Sequence, residues 1–256
     1  IQNGSNTQDF VFNLIVPPQE EQQFINRLSK TFNNCNFTIN IKPFEAPIDL
    51  IKYVKARYTS RHDARYMNYA RFFLPSLFPR LKKVLYLDTD LIVLGNLNDL
   101  FETNTFTKDQ YYAAVPHTFW APLYFKNPLK HRKLAKIIQK PFNGGVFLTD
   151  LSYWDDTITQ RFFYYCTLNK QYKFKLFSLS TEPLQNLIFY NFKPLERRWN
   201  RCGFGNSKFI SHWLKVPDNE ISILHWSGGI RKPWTHRNIA YKALWDKYQL
   251  QTLVKI

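Results

Sequence analysis

The chain has 256 residues, of which 45% are hydrophobic and 18% aromatic, and it carries a formal net charge of +16. This apolar content excludes a disordered chain, and no apolar run approaches the roughly 20 residues needed to cross a bilayer. Basic residues are scattered, with no zinc-finger spacing, RNA-recognition signature or basic heptad region, so no nucleic-acid partner is expected. We predict a single domain over residues 1–256; the oligomeric state stays open.

Apolar periodicity predicts strands and helices that alternate along the chain. Strands are expected over residues 10–16, 36–41, 84–87, 111–115, 145–149 and 221–225, and helices over residues 19–32, 48–57, 63–74, 129–139, 153–166, 183–190 and 239–249. Pro75 and Pro79 are expected to end the third of these helices. The alternation predicts an α/β fold with a mostly parallel central sheet.

The most informative stretch is an apolar strand, residues 84–87, that ends in two carboxylates, Asp88 and Asp90. Ligands bind at the C-terminal ends of strands in open α/β sheets. Two carboxylates in such a place are costly to desolvate unless a positive group shares the site, and a divalent cation is the simplest candidate. The alternative is a pair of solvated turn aspartates that cap a helix.

A second constellation follows the last predicted strand, where His225 precedes Gly228 and Gly229, and then Arg231 and Lys232. Glycines let the backbone approach a ligand closely, and the two cations suit phosphate oxygens. A histidine at a strand end can complete a metal site that two carboxylates begin, and this ligand set suits Mn²⁺ and, less well, Mg²⁺. The alternative is a glycine turn with a structural histidine.

Two further positions are candidates for ligand contact. Asn143 and Gly144 lie in a glycine-containing turn before a predicted strand, where they face a sugar or simply form the turn. Arg71 is a lone cation on an aromatic helix, and buried arginine is rare unless it is paired. Asp88 or a phosphate would be its partner, or its side chain reaches the surface.

Three cysteines, Cys35, Cys166 and Cys202, show no metal-binding spacing. One disulfide with a free thiol and three reduced thiols are both compatible with the sequence.

Four ordered blocks resemble glycosyltransferase family 8, the glycogenin-like retaining enzymes. Residues 69–94, with Leu-Tyr-Leu-Asp-Thr-Asp, look like its core block, and the others are residues 142–146 (Phe-Asn-Gly-Gly-Val), 198–205 (Arg-Trp-Asn-Arg-Cys-Gly-Phe-Gly) and 225–234. The blocks are closest to plant galacturonosyltransferase-like proteins and animal members. The resemblance as a whole runs from about residue 10 to about residue 246.

The resemblance implies a GT-A (Rossmann-like) fold, a UDP-sugar donor and Mn²⁺, with Mg²⁺ as a second possibility, held by Asp88, Asp90 and His225. It implies further contacts with the donor, assigned by position: Gly228 and Lys232 at the diphosphate, Asn143 and Gly144 at the sugar, and Arg71 beside the aspartate pair.

Two features depart from the family pattern. Glu182 lies in the block Thr181–Asn186, where the family has a different sequence; it is a candidate catalytic residue alongside Asp88 and Asp90, or a solvated glutamate at a helix N-terminus. Residues 10–16 look like the family's second strand, so the sequence is expected to lack the first strand of the nucleotide-binding half, most simply through cropping.

These features favour a metal-dependent retaining hexosyl- or pentosyltransferase that moves a sugar from a UDP donor to a hydroxyl of a glycan, protein or lipid. The alternative is a catalytically inactive homologue that binds glycan or nucleotide. His117, Trp120 and Tyr124 are candidates for acceptor contact, or form a surface aromatic cluster. The resemblance implies the Golgi lumen, with membrane attachment only through an upstream anchor, or the cytoplasm for a viral or bacterial protein; the sugar stays open.

Overall fold

The fold is built from eight strands and eight helices within the residues described by this computed structural model, which are 10–32, 37–57, 65–117, 121–207, 214–229 and 231–248. The strands are β1 (Val11–Val16), β2 (Thr38–Pro43), β3 (Lys83–Leu87), β4 (Leu91–Val93), β5 (Tyr112–Pro116), β6 (Phe142–Asp150), β7 (Lys193–Pro194) and β8 (Ile223–His225). The helices are α1 (Glu21–Thr31), α2 (Ile48–Arg57), α3 (Leu74–Leu77), α4 (Leu97–Glu102), α5 (Arg132–Ala135), α6 (Asp156–Gln171), α7 (Glu182–Ile188) and α8 (Lys242–Tyr248). Short 3₁₀ helices span Pro18–Glu20, Arg65–Phe72, Ala121–Tyr124, Leu151–Tyr153, Arg197–Asn200 and Asp218–Glu220.

The strands form three sheets, and the central one is mainly antiparallel. Its strand order is β3-β6-β5-β7, with β6 antiparallel to both β3 and β5, while β5 and β7 are parallel. A parallel pair, β1 and β2, and an antiparallel pair, β4 and β8, complete the set. The prediction of a mostly parallel central sheet is therefore wrong, because an apolar run shows that a strand is covered on both faces but not which way its neighbour runs.

Strand β6 is the most buried element, because two hydrophobic clusters cover its two faces. Phe142 and Phe147 pack into one cluster with α6 and α7, whereas Val146 and Leu148 pack into the other with β3 and β5. Alternate side chains of a strand point to opposite faces, so a strand that is buried on both faces carries apolar side chains on each, and its buried polar side chains, such as Asn143, need hydrogen-bond partners. This burial makes β6 a rigid support for the residues at its N-terminal end.

Two helix predictions differ from the structure. The segment predicted as a helix over 63–74 is a 3₁₀ helix, Arg65–Phe72, followed by α3, and Pro75 lies in the first turn of α3 instead of ending the helix before it. Proline is tolerated there because a first-turn N–H needs no helical partner. The predicted basic helix over 129–139 is reduced to α5, since like charges one turn apart, as on Arg132 and Lys136, disfavour helix.

Several sequence-based expectations lie outside the described residues: the N-terminal segment 1–9, Cys35 and Trp120. Cys166, which is buried, and Cys202 are both free thiols. Within the described ranges, no helix is both long enough and apolar enough to span a membrane.

We expect Phe162→Ala to lower the free energy of unfolding by about 3–5 kcal/mol, the usual cost of a large cavity. Phe162 is fully buried on α6 and stacks on Phe72 with ring centroids 4.7 Å apart. Tyr164→Ala is the control on the same helix, because Tyr164 is 60% exposed. Chemical denaturation of both variants provides the test, and equal losses would contradict this packing.

Candidate active site

Asp88 and Asp90 lie where the chain crosses from the central sheet to the β4–β8 pair. The Asp88 N–H donates to the carbonyl oxygen of Gly145 on β6 at 2.8 Å, which anchors the end of β3. Three residues after Asp88, β4 begins, and its Leu91 pairs with His225 of β8. The junction of the two sheets thus brings His225 to the aspartate pair, although more than 130 residues separate them in sequence.

Three side-chain atoms converge at this junction. Ligand atoms of Asp88, Asp90 and His225 all lie within 4.8 Å of one another. His225 Nε2 is 3.1 Å from Asp90 Oδ1 and 3.9 Å from Asp88 Oδ2, and the histidine is buried while both aspartates are partly exposed. The predicted meeting of these three residues is confirmed. Two carboxylate oxygens and one imidazole nitrogen form a ligand set for a divalent cation such as Mn²⁺.

A chain of amide groups determines which nitrogen of His225 faces the aspartates. The backbone N–H of Gly145 can only donate, so its partner at 3.2 Å is the side-chain oxygen of Asn143. That oxygen must then accept from the Asn200 amide nitrogen at 3.1 Å, which leaves the Asn200 oxygen to accept from His225 Nδ1 at 3.0 Å. His225 Nε2 therefore carries its lone pair towards two carboxylates. This arrangement is favourable only with a shared cation, either a second proton or a metal ion.

Asn200 is a site residue that the sequence did not single out. It stands in the block Arg198–Gly205 that carries part of the family resemblance, but nothing local marks an asparagine after a tryptophan as a support for a histidine. Its position on the 3₁₀ helix Arg197–Asn200, packed against β6 and β8, gives it this role.

Two cations hold the aspartates from opposite sides. Arg71 Nη2 donates to Asp88 Oδ1 at 2.8 Å and Arg71 Nη1 to the carbonyl oxygen of Gly144 at 2.6 Å. Arg71 is buried, so it is the paired arginine and does not reach the surface. Lys232 forms an ion pair with Asp90 and also donates to the Trp226 carbonyl oxygen at 2.8 Å.

The positive groups around Asp90 lower its pKa. Burial alone would raise its pKa, but hydrogen bonds and charge from His225 and Lys232 outweigh burial and lower the pKa to about 2. Asp90 is therefore ionised throughout the physiological range, as a cation ligand must be.

Glycine is required at two positions of the site. A Cβ on Gly145 would lie 2.6 Å from Asp88 Oδ2 and 3.0 Å from His225 Nε2, inside the space that a shared cation would occupy. Gly228 has φ of +116°, and a Cβ added there would meet the backbone of Gly205 at 2.8 Å.

The sequence predicts Asn143 and Gly144 in a turn before a strand, but both already belong to β6, because burial on both faces extends the strand to Phe142.

Glu182 begins α7 and is half-buried, so the fully solvated alternative does not hold. The Tyr124 hydroxyl donates to Glu182 Oε1 at 3.0 Å. Burial raises the pKa of Glu182 to about 7, although the Tyr124 hydrogen bond and the charges of Arg71 and His225 oppose that rise. Arg71, His225 and Asp88 are near enough for their charges to act on the pKa of Glu182.

The expected acceptor-side residues differ in exposure. Tyr124 is buried and therefore cannot be part of a surface aromatic cluster. His117 is half-buried, and burial together with the charge of Arg197 lowers its pKa.

We expect Glu182→Gln to stabilise the fold in a pH-dependent way. A carboxyl whose pKa rises from 4.5 to about 7 on folding favours the folded state most below pH 4.5 and progressively less up to about pH 7. The neutral amide keeps an acceptor for Tyr124 without this cost. The gain in free energy of unfolding should thus grow from near zero at pH 4.5 to about 1–3 kcal/mol at pH 8. Denaturation at both pH values tests this, and a gain independent of pH would refute it.

Comparison with known proteins identifies the relatives of this chain. The family model described as Glycosyl transferase family 8 matches residues 4–238. The chain is 31% identical over 199 residues to probable galacturonosyltransferase-like 2 of Arabidopsis thaliana, covering 72% of this chain and 58% of that protein. It is 25% identical over 265 residues to probable galacturonosyltransferase-like 4 of the same plant, covering 98% of this chain and 72% of that protein.

Among solved structures, the fold is similar to the galactosyltransferase LgtC in complex with donor and acceptor sugar analogues. The TM-score is 0.56 at 16% identity, and the match covers 92% of this chain and 93% of LgtC. The predicted GT-A fold is thereby confirmed. With four ordered sequence blocks, a family model that spans nearly all of the chain and this fold in agreement, the chain belongs to glycosyltransferase family 8.

Proposed function

We propose that this chain is a metal-dependent retaining glycosyltransferase that moves a sugar from a UDP-sugar to a hydroxyl of a glycan, glycoprotein or glycolipid. The observation that carries the proposal is the lone pair of His225 Nε2 directed at Asp88 and Asp90, an arrangement that calls for a shared cation. The open space kept by Gly145 beside these atoms supports the same reading.

Asp88, Asp90 and His225 would hold Mn²⁺, or Mg²⁺ in its place. A bound divalent ion supplies positive charge that offsets the negative charge on the diphosphate leaving group as the glycosidic bond breaks. Lys232 would give up its ion pair with Asp90 and contact a phosphate oxygen. Gly228, next to it in the same loop, leaves room for the diphosphate to approach the backbone.

Arg71, Asn143 and Gly144 would line the sugar side of the donor. The Arg71 guanidinium holds Asp88 in place through its direct hydrogen bond. The oxygen of the Asn143 side chain is used inside the amide chain, but its nitrogen makes no hydrogen bond with a described residue. That nitrogen is a donor suited to a sugar hydroxyl.

Glu182 would stabilise positive charge at the reacting sugar carbon, as a nucleophile or as a nearby anion. The hydrogen bond from Tyr124 holds the carboxyl in one orientation. Because the pKa of Glu182 is raised to about 7, positive charge that develops beside it would shift the carboxyl towards its ionised form. The sugar would keep its configuration if Glu182 either bonds to the reacting carbon in an intermediate or shields one face of that carbon until the acceptor reacts.

The names of the relatives point to a first set of donors. The matched plant proteins are named as probable galacturonosyltransferase-like proteins and LgtC as a galactosyltransferase, so UDP-galacturonate and UDP-galactose are the donors we would test first. This chain spans 58% of the first of these relatives. Its activity and its acceptor are therefore inferred from its own residues. We propose the Golgi lumen as its compartment, because the family resemblance implies it.

We expect UDP to bind in the presence of Mn²⁺, and Asp88→Asn/Asp90→Asn to weaken that binding at least about tenfold. Both ligands lose their charge in the variant while their size is kept, so the cation is no longer held. Calorimetric titration of UDP with Mn²⁺ or with EDTA measures the effect. Asp109→Asn, an exposed aspartate away from the site, is the matched control.

Turnover then separates the enzyme from an inactive homologue. Release of UDP from a UDP-sugar by the unmodified chain, lost in Asp88→Asn/Asp90→Asn, supports the transferase. Metal-dependent UDP binding with no turnover of any UDP-sugar would instead favour a binding protein, and absence of UDP binding would contradict the donor site altogether.

We expect Asn200→Ala to lower Mn²⁺ affinity by about 10–100-fold, because His225 loses the acceptor that fixes its Nε2 as the free ligand atom. Titration of Mn²⁺ alone, followed by a change in intrinsic fluorescence or by calorimetry, provides the measurement. Asn191→Ala is the control, since this exposed asparagine donates only to the Asp109 carbonyl oxygen. Unchanged Mn²⁺ affinity in Asn200→Ala would show that the amide chain does not orient the histidine.

A further inference from the structure

Helix α7, which begins at Glu182, buries two amide side chains. Residues 183–188 are all buried, and among them Gln185 and Asn186 are polar. Asparagine and glutamine are mostly exposed in proteins, because a buried amide costs free energy unless new hydrogen bonds replace those it made to water. The hydrogen-bond partners of the two amides therefore indicate what these residues do.

The Asn186 side chain joins the first residue of α7 to the first residue of β6. Its Oδ1 accepts from the Phe142 N–H at 2.8 Å, and its Nδ2 donates to the carbonyl oxygens of Phe142 at 3.0 Å and Glu182 at 2.9 Å. Because a backbone N–H can only donate, the side-chain oxygen must face it, and the amide nitrogen must face the two carbonyl oxygens. One side chain thus holds the backbone at both residues in a single arrangement.

The neighbouring strands leave the backbone of Phe142 to Asn186. The register of β3 along β6 runs from Asp150 to Val146, and Pro116, the β5 residue opposite Phe142, has no N–H to donate. Phe142 is fully buried, so its N–H and carbonyl oxygen need partners within the protein. Asn186 supplies both partners, and this requirement fixes the place of its side chain.

Tyr124 closes a ring of hydrogen bonds around Glu182. Its hydroxyl donates to Glu182 Oε1 at 3.0 Å and also lies 3.5 Å from the carbonyl oxygen of Phe142. Asn186 therefore holds the backbone of Glu182, and Tyr124 holds its carboxyl. Both contacts refer Glu182 to the same peptide group of β6.

The same end of β6 supports the candidate metal site. Asn143 takes part in the amide chain that ends on His225, and the Gly145 carbonyl oxygen accepts from the Asp88 N–H. This short segment of β6 thus carries the supports of the metal ligands and, through Asn186, the support of Glu182. Its burial makes the relative placement of the two constant.

We propose that Asn186 is a positioning residue, which fixes the Glu182 carboxyl relative to the metal ligands. The inference rests on the proposed function, in which Glu182 acts at the reacting sugar carbon, and Asn186 acts only through Glu182. Without the Asn186 side chain, the first turn of α7 loses its bonds to β6, and no side chain caps that end of the helix in its place. The Glu182 carboxyl, which is already partly exposed, would then turn towards water.

The pKa of Glu182 reports the position of its carboxyl without any need for turnover. Burial is the largest influence and raises this pKa to about 7, so movement into water should return it towards 4.5. Loss of the Tyr124 hydroxyl alone should raise the pKa further, because it removes a hydrogen bond to the charged form. The titratable and charged groups that act on Glu182 are Tyr124, Arg71, His225, Asp88 and Cys202.

The test measures the gain in stability from Glu182→Gln in different backgrounds, by chemical denaturation with EDTA at pH 4.5 and about pH 8. In the unmodified background the gain should grow between the two pH values. In Asn186→Ala this growth should largely vanish, because the pKa of Glu182 has fallen. In Tyr124→Phe the growth should become larger, because the pKa has risen.

Asn169→Ala is the matched control. Asn169 is also fully buried and also accepts from a backbone N–H, that of Leu176, but it donates to Tyr53 instead of to α7 or β6. This variant should lose stability at both pH values and leave the pH dependence of Glu182→Gln unchanged. No change of that dependence in Asn186→Ala, or an equal change in both variants, would overturn the proposal.

Turnover provides a second readout. At saturating UDP-sugar, Asn186→Ala should release UDP at least about tenfold more slowly, since a misplaced group loses most of its effect on the reaction. Its affinity for UDP with Mn²⁺ should be unchanged, because His225 is oriented through Asn143 and Asn200. An equal loss of UDP affinity would show that Asn186 supports the fold as a whole, and would refute a specific role towards Glu182.

Asn186→Ser serves if Asn186→Ala does not fold. Its shorter side chain leaves a smaller cavity, and its hydroxyl is too short to meet Phe142 and Glu182 together. The same shift of the Glu182 pKa towards 4.5 is expected, and an unchanged pKa would refute the proposal.

The two readouts separate failure of this inference from failure of the proposed function. Denaturation requires neither donor nor metal ion. A lowered Glu182 pKa in Asn186→Ala, together with absence of UDP binding by the unmodified chain, would keep the placement of Glu182 by Asn186 and refute the donor site. Metal-dependent UDP binding with an unchanged Glu182 pKa would refute the role of Asn186 and keep the donor site.

Discussion

Electrostatic repulsion among Asp88, Asp90 and His225 explains which residues surround the candidate metal site. The carboxylates of Asp88 and Asp90 and the lone pair of His225 Nε2 face each other across less than 5 Å, the span within which all their ligand atoms lie. Desolvating such a group of acceptors is costly unless positive charge is nearby. Arg71 and Lys232 each compensate one aspartate from outside. The repulsion that remains acts among the three ligand atoms themselves. Gly145 leaves the space beside these atoms open for a cation.

A hydrogen-bond chain carries this constraint into the rest of the fold. It starts at a backbone N–H of β6, passes through Asn143 and Asn200, and ends on His225 of β8. Because a backbone N–H can only donate, the direction of every bond along the chain is determined by its first member. Burial of β6 on both faces keeps that first member still. The hydrophobic core therefore helps to determine which ring nitrogen of His225 faces the aspartates.

Positive charge has two separate distributions on this protein. Arg71 and Lys232 are each paired with one aspartate of the candidate metal site. The six lysines and arginines over 126–140 are exposed and form no salt bridge with a described carboxylate.

Local sequence determined the elements and the ligand types, and tertiary structure decided how they meet. The helix over 48–57 has the bounds that its periodicity predicts, and an apolar run ending in Asp88 and Asp90 is enough to predict a strand followed by a cation site. The direction of β6 against β3, the choice between Asp88 and a phosphate as the partner of Arg71, and the role of Asn200 could not be predicted. Each depends on residues far apart in sequence, and local periodicity holds no information about which distant segments pair.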